Sequence, residues 1–308
     1  MKFLITGANG DIAKSVCRIL KAEYKHSIID GTDINPDGPG QYLFNKIYNI
    51  SEPNKKVYIK EITKISKKYK IIIPTTEQEI NFFYKNIEKF SNKVVLINSK
   101  NIIKTFLKKS STYDFLKKNK FGVPAFCKKL SSIKVFKKKF FLKTDFGHGN
   151  KNYKIVKSIK EFNSLYNLNK KNWIAQEFLD HTYKEYTCAV IKLDNFIDVL
   201  ILNRKLDKGY TYYAEVVEDK YLKKILTKIA RLIKLNGSIN VQLKIKGRKY
   251  AIFEINPRLS STVMIRNKMG FKDLIWWLNY KIKKIKPKSQ SKIKKFKMIK
   301  YTDEKFLK

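Results

Sequence analysis

Four side chains in the last third of the chain could do chemistry together. In residues 240–258, NVQLKIKGRKYAIFEINPR, two apolar runs flank Lys246-Gly247-Arg248, and Gln242, Glu254 and Asn256 interrupt them, with Arg258 just past Pro257. A strand's period of two places Glu254 and Asn256 on one face. An odd-membered loop centred on Gly247 sets Gln242 opposite Ile252 and onto that same face, whereas a two-residue loop turns it to the other side. One carboxylate and two amide oxygens at a strand end make a hard-oxygen set suited to Mg²⁺, which takes its remaining ligands from phosphates and water. Arg258 then faces those phosphates as a planar cation. A lone Glu in an edge hairpin is usually a solvated carboxylate. Here the polar pair breaks the apolar run AIFEI and is followed at once by Pro and Arg.

The segment resembles the metal-binding hairpin of the ATP-grasp superfamily, particularly the branch similar to the large subunit of carbamoyl phosphate synthetase, where NVQ and E-x-N-P-R-x-S recur. The resemblance implies ATP as co-substrate and two Mg²⁺ (or Mn²⁺) ions. Gln242 and Glu254 would hold one ion, Glu254 and Asn256 the second, and Arg258 would stabilise the phosphoryl group in transfer.

Three upstream segments extend the likeness. Phe140-Phe-Leu-Lys143 is a short strand followed by a loop with Gly147 and Gly149. Backbone N–H groups of such a loop can surround phosphate oxygens, with Lys143 adding charge, although Gly-x-Gly between strands is more often a plain turn. The resemblance makes Lys143 the α/β-phosphate lysine and residues 147–151, with Gly147, Gly149 and Lys151, a flap over the nucleotide. The chain departs from the family pattern at Asp145 and Asn152. The stretch Trp173-Ile-Ala-Gln176-Glu177-Phe178-Leu179 resembles the family's hinge, so Glu177, Phe178 and Leu179 would meet the adenine edge and Glu185 the ribose hydroxyls. Arg204, beside Lys205, would contact the triphosphate or an acyl phosphate, and Lys104 would be the first nucleotide lysine.

These residues need elements to place them. Residues 1–100 alternate continuous apolar strands (FLIT, SIID, KIIIPTT, KVVLIN) with helical patterns at 11–24, 54–69 and 77–90, the signature of a parallel sheet covered on both faces. From 101 the pattern is a helix to 120, a basic strand and glycine loop at 139–157, a helix at 158–168, then strands and the 240–256 hairpin, which reads as α+β. The expected fold is therefore α/β and α+β, which the resemblance makes a Rossmann-like domain over 1–100 and an ATP-grasp domain over 101–280 with a lid at about 110–178, followed by a basic tail over 281–308, solvated or loosely helical.

The opening T-G-A-N-G-D-I-A raises a rival. Gly7 and Gly10 follow a first strand as in a dinucleotide fingerprint, but Ala13 stands at the third glycine position. An NAD(P)-dependent short-chain dehydrogenase or epimerase would also need a Tyr-x-x-x-Lys pair. Tyr166/Lys170 fits, yet Tyr42/Lys46, Tyr113/Lys117 and Tyr153/Lys157 share that spacing by chance in so lysine-rich a chain. That rival leaves residues 242–258 unexplained.

The net charge of +41 on 308 residues invites a nucleic-acid reading. Only six of the 67 basic residues are Arg, and the lysines are spread along the chain, not gathered on one motif with aromatic platforms. No nucleic-acid partner is expected. No apolar run approaches the ~18 residues of a membrane span, and three scattered cysteines form neither a disulfide framework nor a metal pattern. The expected activity is a cytoplasmic, ATP-dependent carboxylate–amine ligase acting on small molecules through an acyl phosphate, with a homodimer left open.

Overall fold

The computed structural model describes residues 1–128, 136, 139–147, 153–158, 160–162, 173–288 and 292–301. Gly149, Lys151, Asn152, Tyr166 and Lys170, and most of the helix expected at 158–168, lie outside those residues.

The first hundred residues build a five-stranded parallel sheet: β1 (Lys2–Thr6), β2 (Ile28–Asp33), β3 (Ile47–Asn49), β4 (Ile71–Ile73) and β5 (Val94–Val95), in the order β3-β2-β1-β4-β5. Helix α1 (Asp11–Glu23) covers one face through Ala13, Val16, Cys17, Ile19 and Leu20, a helical spacing that forms one apolar stripe. Burying each of the larger side chains is worth about 1.5–3 kcal/mol. Helices α2 (Tyr58–Ser66) and α3 (Glu77–Lys85) cover the other face. Thr76 and Glu79 close a reciprocal capping box at the start of α3.

The helix expected over 101–120 is two helices, α4 (Lys100–Phe106) and α5 (Lys109–Lys118). Lys108 between them is extended and bridges Phe146. The break is fixed from outside: Asp145 accepts from the backbone N–H (2.7 Å) and the hydroxyl (2.7 Å) of Ser110, capping the start of α5. That gives Asp145, a departure from the family pattern, a structural role.

A small antiparallel sheet follows, β6 (Phe126–Cys127), β7 (Phe140–Thr144), β8 (Tyr153–Val156) and β9 (Trp173–Glu177), in the order β6-β9-β7-β8. The larger sheet comprises β10 (Lys184–Leu193), β11 (Phe196–Asp207), β12 (Tyr210–Val216), β13 (Gly237–Lys246), β14 (Lys249–Asn256) and β15 (Lys297–Ile299), in the order β14-β13-β10-β11-β12-β15. Helix α6 (Lys220–Leu232), capped by Asp219, lays Leu222, Ile225, Leu226 and Ile229 on its back. Helices α7 (Val263–Lys268) and α8 (Asp273–Lys283) join its other face to α1 and the first sheet in one apolar cluster. The C-terminal segment departs from the expected solvated tail or loose helix at one place among its described residues. Residues 297–299 pair with β12 as an edge strand, where backbone N–H and C=O groups would otherwise be unpaired. None of the described helices is long and apolar enough to cross a membrane.

Candidate active site

The large sheet brings the predicted residues together by register alone. On β10, β11 and β13, Glu185 stands opposite both Arg204 and Lys244; one step along, Thr187 stands opposite Gln242, which faces Glu254; a further step aligns Ala189, Asn240 and Asn256. Strand period two puts all of these on one face.

Gln242 reaches that face by a route the hairpin's loop length argues against. The turn is a two-residue one, with Lys246 paired to Lys249 and Gly247 at φ +58°, a conformation suited to glycine at the first corner of a type II′ turn. Uncorrected, this register would face Gln242 with Phe253. The ladder instead shifts between Gln242 and Leu243, so that Phe253 is the extra residue of a β-bulge and Glu254 takes its place. Tyr113 donates to the Phe253 carbonyl at 2.8 Å, which serves a backbone group next to the bulge.

The polar atoms on this face fall into two groups. Some are already matched. The Arg204 guanidinium donates to Glu185 (2.7 Å) and to the side-chain oxygen of Gln242 (2.8 Å), so that oxygen is shared with a cation and must be released before it can bind metal. Arg258 pairs with Glu77 at 3.1 Å across the junction with the first domain, and its Nε is buried without a partner. Lys244 donates to the Leu179 carbonyl at 2.8 Å and lies 3.7 Å from Glu185.

Other atoms have open valences. Among the described residues, the Glu254 carboxylate and the Asn256 amide make no side-chain hydrogen bond or ion pair, and both line a cleft with Glu77, Lys109 and Gly147. Lys109 and Lys143 have only neutral acceptors: Lys109 donates to the Gly147 carbonyl (3.1 Å) and Lys143 to Gln176 Oε1 (3.0 Å). Desolvation pushes Lys143 down to about 8, with Glu254 opposing and Lys109 and Lys244 adding to the shift. Two lysines hydrogen-bonded only to neutral oxygens, beside a free carboxylate and amide, are what a polyphosphate with a divalent cation would complete. Glu254 and Asn256 therefore fit Mg²⁺ as they stand, and Gln242 fits once Arg204 moves.

Several expected roles change in detail. Lys104 sits on the exposed side of α4, while Lys109, which the sequence reading missed, reaches the cleft because Asp145 breaks the helix just before it. The Glu177 carboxylate accepts from the backbone N–H of Ala125 at 3.0 Å, so its side chain serves the small sheet. The Phe178 ring lies 4.8 Å from Phe141, with Lys139 over its face. Gly147 is at φ +103° with open space around it, as a phosphate-enclosing loop requires.

The glycine turn after β1 contrasts with this. Its N–H groups are taken: Ala8 donates to the Thr32 carbonyl (3.0 Å), Asn9 to the Asp33 carboxylate (2.9 Å) and Gly10 to the Gly7 carbonyl (2.9 Å). The Asn9 side chain is bound by Gly40 N–H at 2.8 Å, and a Cβ on Gly38 would lie 2.6 Å from it. The chain's own 33–40 loop is seated against this turn through Asn9, so the turn offers no support for the dehydrogenase reading.

Comparison with known families agrees. Residues 3–97 match a family model described as PylC-like, N-terminal domain, and residues 169–304 match one described as ATP-grasp in the biosynthetic pathway with Ter operon. The chain carries an ATP-grasp domain behind a PylC-like N-terminal domain. No curated protein matches it in sequence. Among solved structures the fold is similar to N5-carboxyaminoimidazole synthetase from Staphylococcus aureus complexed with ADP (TM-score 0.74, 16% identity, 95% of this chain and 79% of that one). It is also similar to the biotin carboxylase domain of the Hydrogenobacter thermophilus 2-oxoglutarate carboxylase, solved with MgADP and bicarbonate (TM-score 0.75, 12% identity, 95% and 72%). A third likeness is N5-carboxyaminoimidazole ribonucleotide synthetase from Thermotoga maritima (TM-score 0.67, 16% identity, 95% and 78%). At such identities the likeness is one of fold. The ATP-grasp match covers β10–β15 and the β13–β14 hairpin.

Proposed function

We propose that the protein is an ATP-dependent carboxylate–amine ligase acting on small molecules. Residues 1–100 form its pre-ATP-grasp domain, 101–280 its ATP-grasp domain with a lid at about 110–178, and 281–308 a basic C-terminal segment. The observation that carries the reading is the pair of open valences, Glu254 and Asn256, in a cleft with Lys109 and near Lys143, two lysines whose hydrogen-bond acceptors are neutral oxygens. Solved neighbours titled with ADP or MgADP support a nucleotide in that cleft.

Glu254 and Asn256, joined by Gln242, would hold two Mg²⁺ (or Mn²⁺) ions, which when bound neutralise the triphosphate. Lys143 and Lys109 bind its oxygens, and Gly147 closes over them. A substrate carboxylate attacks the γ-phosphorus and ADP leaves, giving an acyl phosphate. An amine then attacks the acyl carbon, inorganic phosphate leaves with the C–O electron pair, and the amine loses a proton as the amide forms. No side-chain nucleophile is needed; the chain acts by positioning charge and excluding water. Arg258 meets the transferring phosphoryl group, and Arg204, released from Gln242, adds a second planar cation. A homodimer is compatible with this arrangement.

Hydroxylamine trapping tests the reaction class. With Mg-ATP and a panel of small carboxylates, one acid gives equal amounts of ADP and hydroxamate, and Arg258→Lys, which keeps the charge but loses the fork, lowers kcat by about 10²-fold with little change in Mg-ATP affinity. ADP formation without hydroxamate for every acid would point to a plain hydrolase.

A further inference from the structure

The hairpin that carries the open valences is itself held by one amide from another part of the chain. Ladder pairing between β13 and β14 ends at Asn240 and Asn256. The next backbone groups diverge, and Asn98 Nδ2 fills the gap, donating to the Ser238 carbonyl at 2.8 Å and to the Pro257 carbonyl at 2.9 Å. Asn98 lies just past β5, at the end of the first sheet, 3% exposed. Its seat is tight: a Cβ on Gly237 would lie 2.4 Å from Asn98 Oδ1 and 2.9 Å from Trp277. The amide cannot be reversed, because its oxygen would then face two carbonyl oxygens.

Pro257 sits between Asn256 and Arg258, so a hold on its carbonyl fixes the 257–258 peptide plane that carries Arg258, and the proline's locked φ passes that hold back to Asn256. The other hold on this segment, Glu77 to Arg258, also comes from the first domain. Both contacts therefore tie residues 257–258 to the first domain, one through backbone and one through side chain.

We propose that Asn98 is a positioning residue for phosphoryl transfer, its amide standing in for the missing rung of the hairpin so that Asn256 and Arg258 keep their places. This rests on the role given to Arg258 above. A group held at an ångström's tolerance matters most when charge is moving, so loss of the hold weakens transition-state binding more than ground-state binding.

The test compares Mg-ATP with a mimic of the transferring phosphoryl group, Mg-ADP plus fluoroaluminate, by calorimetry on the full chain. Asn98→Ala and the isosteric Asn98→Asp keep a cooperative thermal transition and bind Mg-ATP within about threefold of wild type, but bind the mimic about tenfold or more weakly. In Asn98→Asp the loss is partly reversed at low pH, because a buried carboxyl is readily protonated and then donates to one of the two carbonyls; Asn98→Ala shows no such recovery. Unchanged mimic affinity in both variants overturns the proposal. Equal losses for Mg-ATP and the mimic also overturn it, since they mark a purely structural role. Arg258→Lys is the control: if it binds the mimic as wild type does, the role of Arg258 is wrong, and the function given to Asn98 falls with it.

Discussion

The chain has two loops that look ready for a phosphate, and only one has room. After β1, Gly7 and Gly10 have the spacing of a nucleotide fingerprint, yet the N–H of Asn9 donates to Asp33 and the 33–40 loop is seated against the turn. Beyond β7, Gly147 has open space where a Cβ would stand, and the lysines beside it rest on neutral oxygens. Glycine spacing reports a backbone shape; unmet hydrogen-bonding and charge report a ligand. The first loop serves the protein's own turn, and the second is the one the proposed function gives to the nucleotide.

The largest effect that separates the two sites is at Glu254, the one carboxylate of the proposed metal set. Glu254→Gln removes the charge without changing shape, and Mg²⁺-dependent ADP formation should fall below detection while the thermal transition stays within a few degrees. Asp33→Asn in the first loop should leave ADP formation essentially unchanged. Equal losses in both would erase the distinction.

Lys143→Ala should weaken Mg-ATP binding by about 2–4 kcal/mol, the cost of leaving a desolvated phosphate charge unpaired. Its pKa of about 8 lies below the usual lysine value, so free Lys143 is charged below that pH and neutral above it. Wild-type Mg-ATP affinity should therefore fall as pH rises through about 8, a limb absent from Lys143→Ala. A pH-independent wild-type affinity would remove Lys143 from the phosphate contacts.

A smaller effect belongs to the first loop. Glu79, buried beneath Gly7, is pushed up to about 7 by desolvation, against hydrogen bonds from Thr76. The folded state then holds a proton that the unfolded state releases near 4.5, so stability falls as pH rises from about 4.5 to 7. Glu79→Gln should flatten that fall and be about 1–3 kcal/mol more stable relative to wild type at pH 8 than at pH 4.5. Parallel pH–stability curves would mean that the carboxyl is solvated in solution. Mg-ATP affinity should not change.

Much of this was legible in the sequence because it depends on period and type. Continuous apolar strands foretold the parallel sheet, and the polar breaks in AIFEI foretold the side of the hairpin that carries Glu254 and Asn256. What was not legible depends on long-range contacts. The bulge at Phe253, which restores Gln242 to the site despite a two-residue turn, is a feature of the ladder and has no local sequence sign. Lys109 replaces Lys104 at the cleft because Asp145, some thirty-five residues on, breaks the helix before it. The grip of Arg204 on both Glu185 and Gln242 needs three strands in register. Abundant lysine hid Lys109, whereas Lys143 stood out by its place between a strand and a glycine loop.

The most direct measurement of the central claim is calorimetric titration of the wild-type chain with ATP in the presence of Mg²⁺, repeated with EDTA and with NAD⁺. One ATP should bind per chain with Mg²⁺, binding should weaken by at least tenfold when the metal is chelated, and NAD⁺ should give no heat of binding. Tight NAD⁺ binding, or ATP binding indifferent to Mg²⁺, would contradict the assignment of the nucleotide site to the lid and hairpin.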